Sequence, residues 1–230
     1  MLYVVSTPIG NLEDLSFRAA RIILKTPIIL AEDTRSFAKL KNKALGLFGI
    51  DKANLPPQKI ISYYKEVELK KLPKILGLLK EGKDIALVSE AGTPIISDPG
   101  FMLTKAAYQE GIKVEFVPGP TAFVQAALFS NFEFKEIIFL GYFPKKKRRR
   151  FLKKIEEGSK IFESPIFVFY ESPHRIKDTA RLIWEYFKGK INCCLCREMT
   201  KRFEERIIVN SQEDLKKLKE KGEYTVVLKY

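Results

Sequence analysis

The sequence predicts an α/β protein built as two α/β domains, and three observations carry that expectation. Short apolar runs alternate with amphipathic stretches along nearly all of the 230 residues, the pattern of strands covered by helices. After five such runs Val117-Pro118-Gly119-Pro120 interrupts the pattern, which then starts again, so the domains are set at 1–117 and 118–230. Apolar residues make up 46% of the chain, enough for a buried core, while no apolar run approaches the roughly 20 residues of a membrane span.

Taken in order, Leu2–Ser6, Ile28–Ala31, Lys59–Ser62, Asp84–Ser89 and Lys113–Val117 read as the strands of the first domain. Ile137–Leu140, Ile166–Tyr170, Ile191–Cys196, Arg206–Val209 and Tyr224–Leu228 read as those of the second. Helices are expected between them, at Asp14–Lys25, Glu66–Glu81, Phe101–Gln109 and Pro173–Phe187. Leu69, Leu72, Leu76 and Leu79 recur at three- and four-residue steps and mark one apolar helix face. The alternation argues for sheets with a large parallel component.

The N-terminus lacks the basic and long apolar segments of a signal peptide, so a soluble, cytoplasmic protein with no membrane partner is expected. Cys193, Cys194 and Cys196 share one apolar run. Neighbours on a strand face opposite ways, so these thiols read as core side chains and no metal site is expected. The formal charge is +13, and Lys145-Lys146-Lys147-Arg148-Arg149-Arg150-Phe151-Leu152-Lys153-Lys154 supplies eight positive charges without an acid. Concentrated charge of this kind is the footprint of a polyanion.

In open α/β sheets, ligands bind beyond the carboxyl ends of strands. Ser6-Thr7-Pro8-Ile9-Gly10-Asn11-Leu12 leaves the first strand without a dinucleotide fingerprint or a P-loop. The stretch Ser89–Gly100 is longer than a turn needs and is fixed by Gly92, Pro94, Pro99 and Gly100, which marks a functional loop. Ser97 or Asp98, with Pro99 behind it, reads as the cap of the next helix. Pro118-Gly119-Pro120-Thr121-Ala122 opens another helix. In Glu171-Ser172-Pro173-His174-Arg175 the pair Ser172-Pro173 reads as cap and first helical residue, the single histidine as structural, and Arg175 as an anion contact. The charged tetrads Glu32-Asp33-Thr34-Arg35 and Arg197-Glu198-Met199-Thr200-Lys201 follow two further strands. No hydrolytic triad or catalytic carboxylate pair stands out. A transferase that orients an already activated donor needs less machinery, and it fits these residue types better.

These six segments, taken in chain order, resemble the motifs of the ribosomal RNA small-subunit methyltransferase I proteins of the tetrapyrrole methylase superfamily, over nearly the whole chain. The resemblance implies a homodimer of two-domain subunits with S-adenosylmethionine in an interdomain cleft. It implies methyl transfer to the ribose 2′-hydroxyl of a cytidine in the decoding region of small-subunit rRNA, free or in the assembled subunit. Carried over by motif, Pro8, Gly92, Thr93, Pro94, Ile95 and Ile96 border the cofactor. Thr121 and Ala122 close over it, and Phe169 and Tyr170 flank its adenosine. Glu32, Arg35 and Lys201 face the acceptor: Glu32 or Lys201 assists deprotonation and Arg35 holds a phosphate.

Glu90 stands where the family usually carries aspartate, and relatives commonly continue into a small helical C-terminal domain. Lys145, Lys146, Lys147, Arg148, Arg149 and Arg150, with Arg175 and Arg197, are therefore expected to carry the RNA contacts. The competing expectations are a superfamily methyltransferase acting on a tetrapyrrole or a protein side chain, and a non-catalytic RNA-binding ribosome-assembly factor.

Overall fold

The computed structural model describes residues 1–51 and 55–230. The chain divides into two compact units, Met1–Thr121 and Ala122–Tyr230, each with its own five-stranded sheet.

In the first unit β1 (Leu2–Val5), β2 (Ile28–Ala31), β3 (Lys59–Ser62), β4 (Ile85–Val88) and β5 (Val114–Val117) all pair in parallel, in the order β3-β2-β4-β1-β5. The central strands β1, β2 and β4 are covered on both faces, and their sequences are correspondingly apolar throughout. Ile29 and Ala31 join the core beneath α1 (Phe17–Lys25) and α2 (Thr34–Phe48), while Ile28 and Leu30 join the core beneath α3 (Lys65–Lys80) and α4 (Phe101–Gln109). Consequently β1 and β4 are neighbours whose following helices lie on opposite faces of the sheet. Their connections part at the carboxyl edge, and the divergence opens a crevice there.

Three local expectations need correction. Helix α1 starts later than Asp14: Asn11 caps a single 3-10 turn at Leu12–Asp14, and the Ser16 side chain then caps α1 by accepting from Ala19 N–H at 3.1 Å. Leu69 is 66% exposed, whereas Leu72, Leu76 and Leu79 pack against the core as expected, joined by Glu68 and Ile75. Helix α4 is capped by Gly100 rather than by Ser97 or Asp98.

The second unit holds α5 (Ala122–Phe129), β6 (Glu136–Tyr142), α6 (Arg148–Gly158), β7 (Pro165–Glu171), α7 (Ile176–Phe187), β8 (Asn192–Arg197), β9 (Glu205–Ile208), α8 (Gln212–Lys216) and β10 (Tyr224–Lys229). Its sheet order is β6-β7-β10-β8-β9, and only β6 and β7 run parallel. The large parallel component is thus confined to the first unit, because β8 and β9 form a hairpin and β10 returns between β7 and β8. One face, with Phe167, Phe169, Cys193 and Leu195, packs on α6, α7 and α8. The other is covered by α5, whose Ala126 carbonyl lies 3.8 Å from the Cys196 sulfur. All three thiols are buried. Among the described residues no helix is long and apolar enough to cross a membrane, and no group of three or more His, Cys, Asp or Glu is placed to hold a metal.

Candidate functional site

The crevice between β1 and β4 is built by the two glycine- and proline-rich loops. Thr7 N–H donates to the Gly92 carbonyl at 2.8 Å and Gly92 N–H donates back to Thr7 at 3.2 Å, clamping the loops together. The Thr7 hydroxyl lies 3.2 Å from the Ser89 carbonyl. Ser6 Oγ donates to Thr93 Oγ1 at 3.0 Å; with Thr93 donating to the Pro120 carbonyl at 3.3 Å, Thr121, 2.7 Å away, fills the remaining lone pair of Thr93. Pro8 and Pro94 are buried behind this chain of hydroxyls. A Cβ on Gly92 would stand 3.3 Å from Ile9 Cγ2 and 3.5 Å from the Pro120 carbonyl, and the residue sits at φ +87°. Glycine alone fits this close approach at a positive φ.

The same loop is strained. Ile95 has φ +77° and Ser97 φ +67°, conformations that cost L-residues roughly 1–2 kcal/mol each and are exceptional for a β-branched side chain. Its far end is fastened by a residue the sequence did not announce. Glu68, buried on α3, accepts from Gly100 N–H at 3.0 Å and from the Tyr63 hydroxyl at 3.3 Å. Its carboxylate therefore lies at the N-terminus of α4, where the helix dipole favours an anion. Burial, with Glu68 beside it, raises the Tyr63 pKa strongly and keeps the phenol protonated. Nothing in the sequence distinguished Glu68 from the exposed carboxylates near it.

Carboxylates gather at the rim. Burial raises the pKa of Glu32, and the negative charges of Asp98, Glu90, Glu66 and Asp33 raise it further. Asp98 is also raised by burial, partly offset by a 2.8 Å hydrogen bond from Ser89 Oγ. Ser36 Oγ donates to Glu90 at 2.9 Å, tying the Glu32–Arg35 segment to the β4–α4 loop. Asp33 caps α2, accepting from Arg35 N–H at 2.6 Å and Ser36 N–H at 3.1 Å, which lowers its pKa. The Arg35 side chain is exposed beside it.

The second unit sorts the remaining candidates. Phe169 is 0% exposed and packs among Phe143 and Phe151, so its side chain is committed to the core. Tyr170 points to the opposite face, as alternation requires, and contacts Phe139 and Tyr142. Ala122 is the first residue of α5, whereas Thr121 ends the first unit.

Helix α7 begins after Arg175, not at Pro173, because Glu171 reorganises the turn. The buried Glu171 carboxylate accepts from Ser172 N–H at 2.6 Å and from Thr179 Oγ1 at 2.5 Å, and it pairs with Arg175 at 2.5 Å. Arg175 also donates to the Phe143 carbonyl, and Arg148 donates to Thr179 Oγ1, each at 3.0 Å. Arg148 lies over the Phe143 ring, 5.4 Å from its centroid. His174 stands exposed in the turn.

Arg148 and Arg175 are thus committed to an internal network, and Arg197 is likewise buried. Arg197 donates to the carbonyls of Lys221 and Phe203 and pairs with Glu205 at 3.0 Å. Of the expected RNA contacts only Lys145, Lys146, Lys147, Arg149 and Arg150 present exposed side chains. Phe151, Leu152 and Ile155 anchor α6 to the core.

Lys201 is held between Glu198 at 3.2 Å and Glu223 at 2.8 Å. Burial acts to lower its pKa, but the two carboxylates outweigh burial and the net shift is upward. An ammonium held in this way is a poor base.

A family model described as Tetrapyrrole (Corrin/Porphyrin) Methylases matches residues 1–216. A Thermotoga maritima protein named Ribosomal RNA small subunit methyltransferase I is 41% identical over 99% of this chain and 97% of its own length. One of the same name from Halalkalibacterium halodurans is 38% identical over 99% of this chain and 75% of its own length. Among solved structures the methyltransferase CobJ superposes with TM-score 0.69 at 15% identity, covering 99% of this chain and 92% of that one. The chain belongs to the tetrapyrrole methylase family.

Proposed function

We infer that this chain is an S-adenosylmethionine-dependent methyltransferase of small-subunit ribosomal RNA. The observation that carries this reading is the near-full-length identity to proteins bearing that name. The β1/β4 crevice supports it. The rim carboxylates Glu32, Glu90 and Asp98 suit a cationic donor. On this reading Pro8 and Gly92–Ile96 hold the donor, with Thr93 and Thr121 fixing the loop that does so. When bound, S-adenosylmethionine supplies a methyl group that needs no further activation.

The finer reading is transfer to the 2′-hydroxyl of a cytidine in the decoding region, by a homodimer. A ribose hydroxyl is a weak nucleophile, so a base must take its proton as the new oxygen–carbon bond forms. Glu32 is that base. Burial and neighbouring carboxylates raise its proton affinity toward working pH, the direction a general base needs. Arg35, the second residue of α2, is the candidate to hold an adjacent phosphate. The test is a map of ribose methylation on small-subunit rRNA from cells lacking this chain, complemented with wild type or Glu32→Gln. One modification should vanish and return only with wild type; an unchanged map would sink the reading.

A further inference from the structure

A row of aromatic rings crosses one end of the second unit and finishes at solvent. Phe123 of α5 stacks on Phe139 with centroids 4.5 Å apart, Phe139 meets Tyr170 at 5.0 Å, and Tyr170 meets Tyr142 at 5.4 Å. Tyr142 is 61% exposed. Its position depends on an irregularity in β6. Phe139 pairs with Val168 and Tyr142 with Tyr170, so β6 takes three steps where β7 takes two. In a regular strand Tyr142 would point with Leu140, which packs against the α6–α7 core. The extra residue, with Gly141 at φ +68°, turns Tyr142 onto the face of Tyr170 instead. Phe143, the next residue, is then returned to the core at 1% exposure.

Immediately beyond this ring comes the basic run. Lys145, Lys146, Lys147, Arg149 and Arg150 are exposed, and none makes an ion pair among the described residues. Lys146 is four residues from Tyr142, at most about 14 Å along the chain. An aromatic face beside uncompensated charge is the chemistry that binds single-stranded nucleic acid: rings take bases and cations take the backbone. Bases in a duplex already stack on one another and offer no free face.

We propose that Tyr142 is a stacking platform for an unpaired RNA base whose flanking phosphates lie on the run Lys145–Arg150. The proposal rests on the rRNA reading above and adds to it that this surface takes the strand unpaired. A purine ring could also come from the cofactor, so the test separates the two.

Binding of a single-stranded RNA oligonucleotide of about 12 nucleotides and of a blunt duplex of equal length is measured by fluorescence anisotropy across a salt series, for wild type, Tyr142→Ala, Tyr142→Phe and Arg149→Ala/Arg150→Ala. Binding of S-adenosylmethionine to each is measured by calorimetry, which also reports that the variants are folded. Tyr142→Ala should weaken the single strand by about 5- to 150-fold, leave its salt slope and the duplex unchanged, and leave cofactor affinity unchanged; Tyr142→Phe should bind like wild type. The double arginine variant should lower the salt slope. Equal single-strand affinity in Tyr142→Ala, or a loss confined to S-adenosylmethionine, overturns the platform while leaving the rRNA reading intact. Absence of salt-dependent RNA binding by wild type overturns the rRNA reading itself.

Discussion

The two units differ in charge as much as in topology. Residues 1–121 carry 17 basic and 13 acidic side chains, net +4, and residues 122–230 carry 24 and 15, net +9, together the chain's +13. The first unit is a fully parallel sheet whose carboxyl edge gathers Glu32, Glu90 and Asp98. The second is a mixed sheet that displays its cations on one loop and helix and ends an aromatic row beside them. A cationic donor and a polyanionic acceptor make opposite electrostatic demands, and on the proposed function the donor would meet the carboxylate edge of the first unit while most phosphate contacts would fall on the cations of the second.

The contrast breaks most sharply at Glu32. Glu32→Gln should lower turnover by about 10²–10⁴-fold while S-adenosylmethionine and RNA still bind. In the wild type the acid limb of the turnover profile should lie above the usual carboxylate range, because the base must be ionised and its pKa is raised. The stability change has the opposite sense. A carboxylate whose pKa is raised by the fold is disfavoured in its ionised form, so the same substitution should not lower the melting temperature at neutral pH, and a large drop would show that Glu32 is a structural residue.

Next in size is the polyanion side. Arg149→Ala/Arg150→Ala should reduce the slope of log affinity against log salt by about 2, in proportion to the charges removed. The same replacements at Arg148 and Arg175 should chiefly cost stability, because their guanidinium groups are bonded internally. Equal salt slopes for both pairs would erase that distinction.

A smaller effect is expected at Glu68. Glu68→Ala leaves Gly100 N–H and the Tyr63 hydroxyl without their acceptor, which should cost about 1–3 kcal/mol in denaturant unfolding and weaken the methyl donor more than RNA. Glu68→Gln keeps an acceptor oxygen and should recover most of both. Smallest is Lys201→Ala, which should change stability by no more than about 1 kcal/mol and leave the pH profile unmoved. A shifted alkaline limb would restore Lys201 as a base.

The ten strands were legible because each is an apolar run, and the ligand loops because proline and glycine punctuate them. What stayed hidden was orientation. Alternation says that Phe169 and Tyr170 face opposite ways but not which of them meets the core, and that was settled by α6 and α7 packing on the Phe169 side. The leucine spacing in α3 located a face to within one position, leaving Leu69 outside and its neighbour Glu68 within. Arg197 reads as a surface cation until the β8–β9 hairpin brings Glu205 to it. Lys201 reads as a free amine until Glu223, distant in sequence, closes on it.

The irregularity at Gly141 also constrains how this chain can vary. It acts as a phase shifter, since one residue sets whether each later position in β6 faces inward or outward. Straightening it at constant length would exchange Tyr142 with Phe143, burying a phenol and expelling the ring that lies under Arg148, whereas removing Gly141 outright would leave both rings on the faces they now occupy. Substitutions along the basic run can accumulate singly, but one that forced position 141 into a regular strand would disturb the aromatic row and the Arg148–Thr179–Glu171 network in one step. Variation among relatives should therefore keep a glycine at this position or lose the position altogether, even where the neighbouring side chains drift.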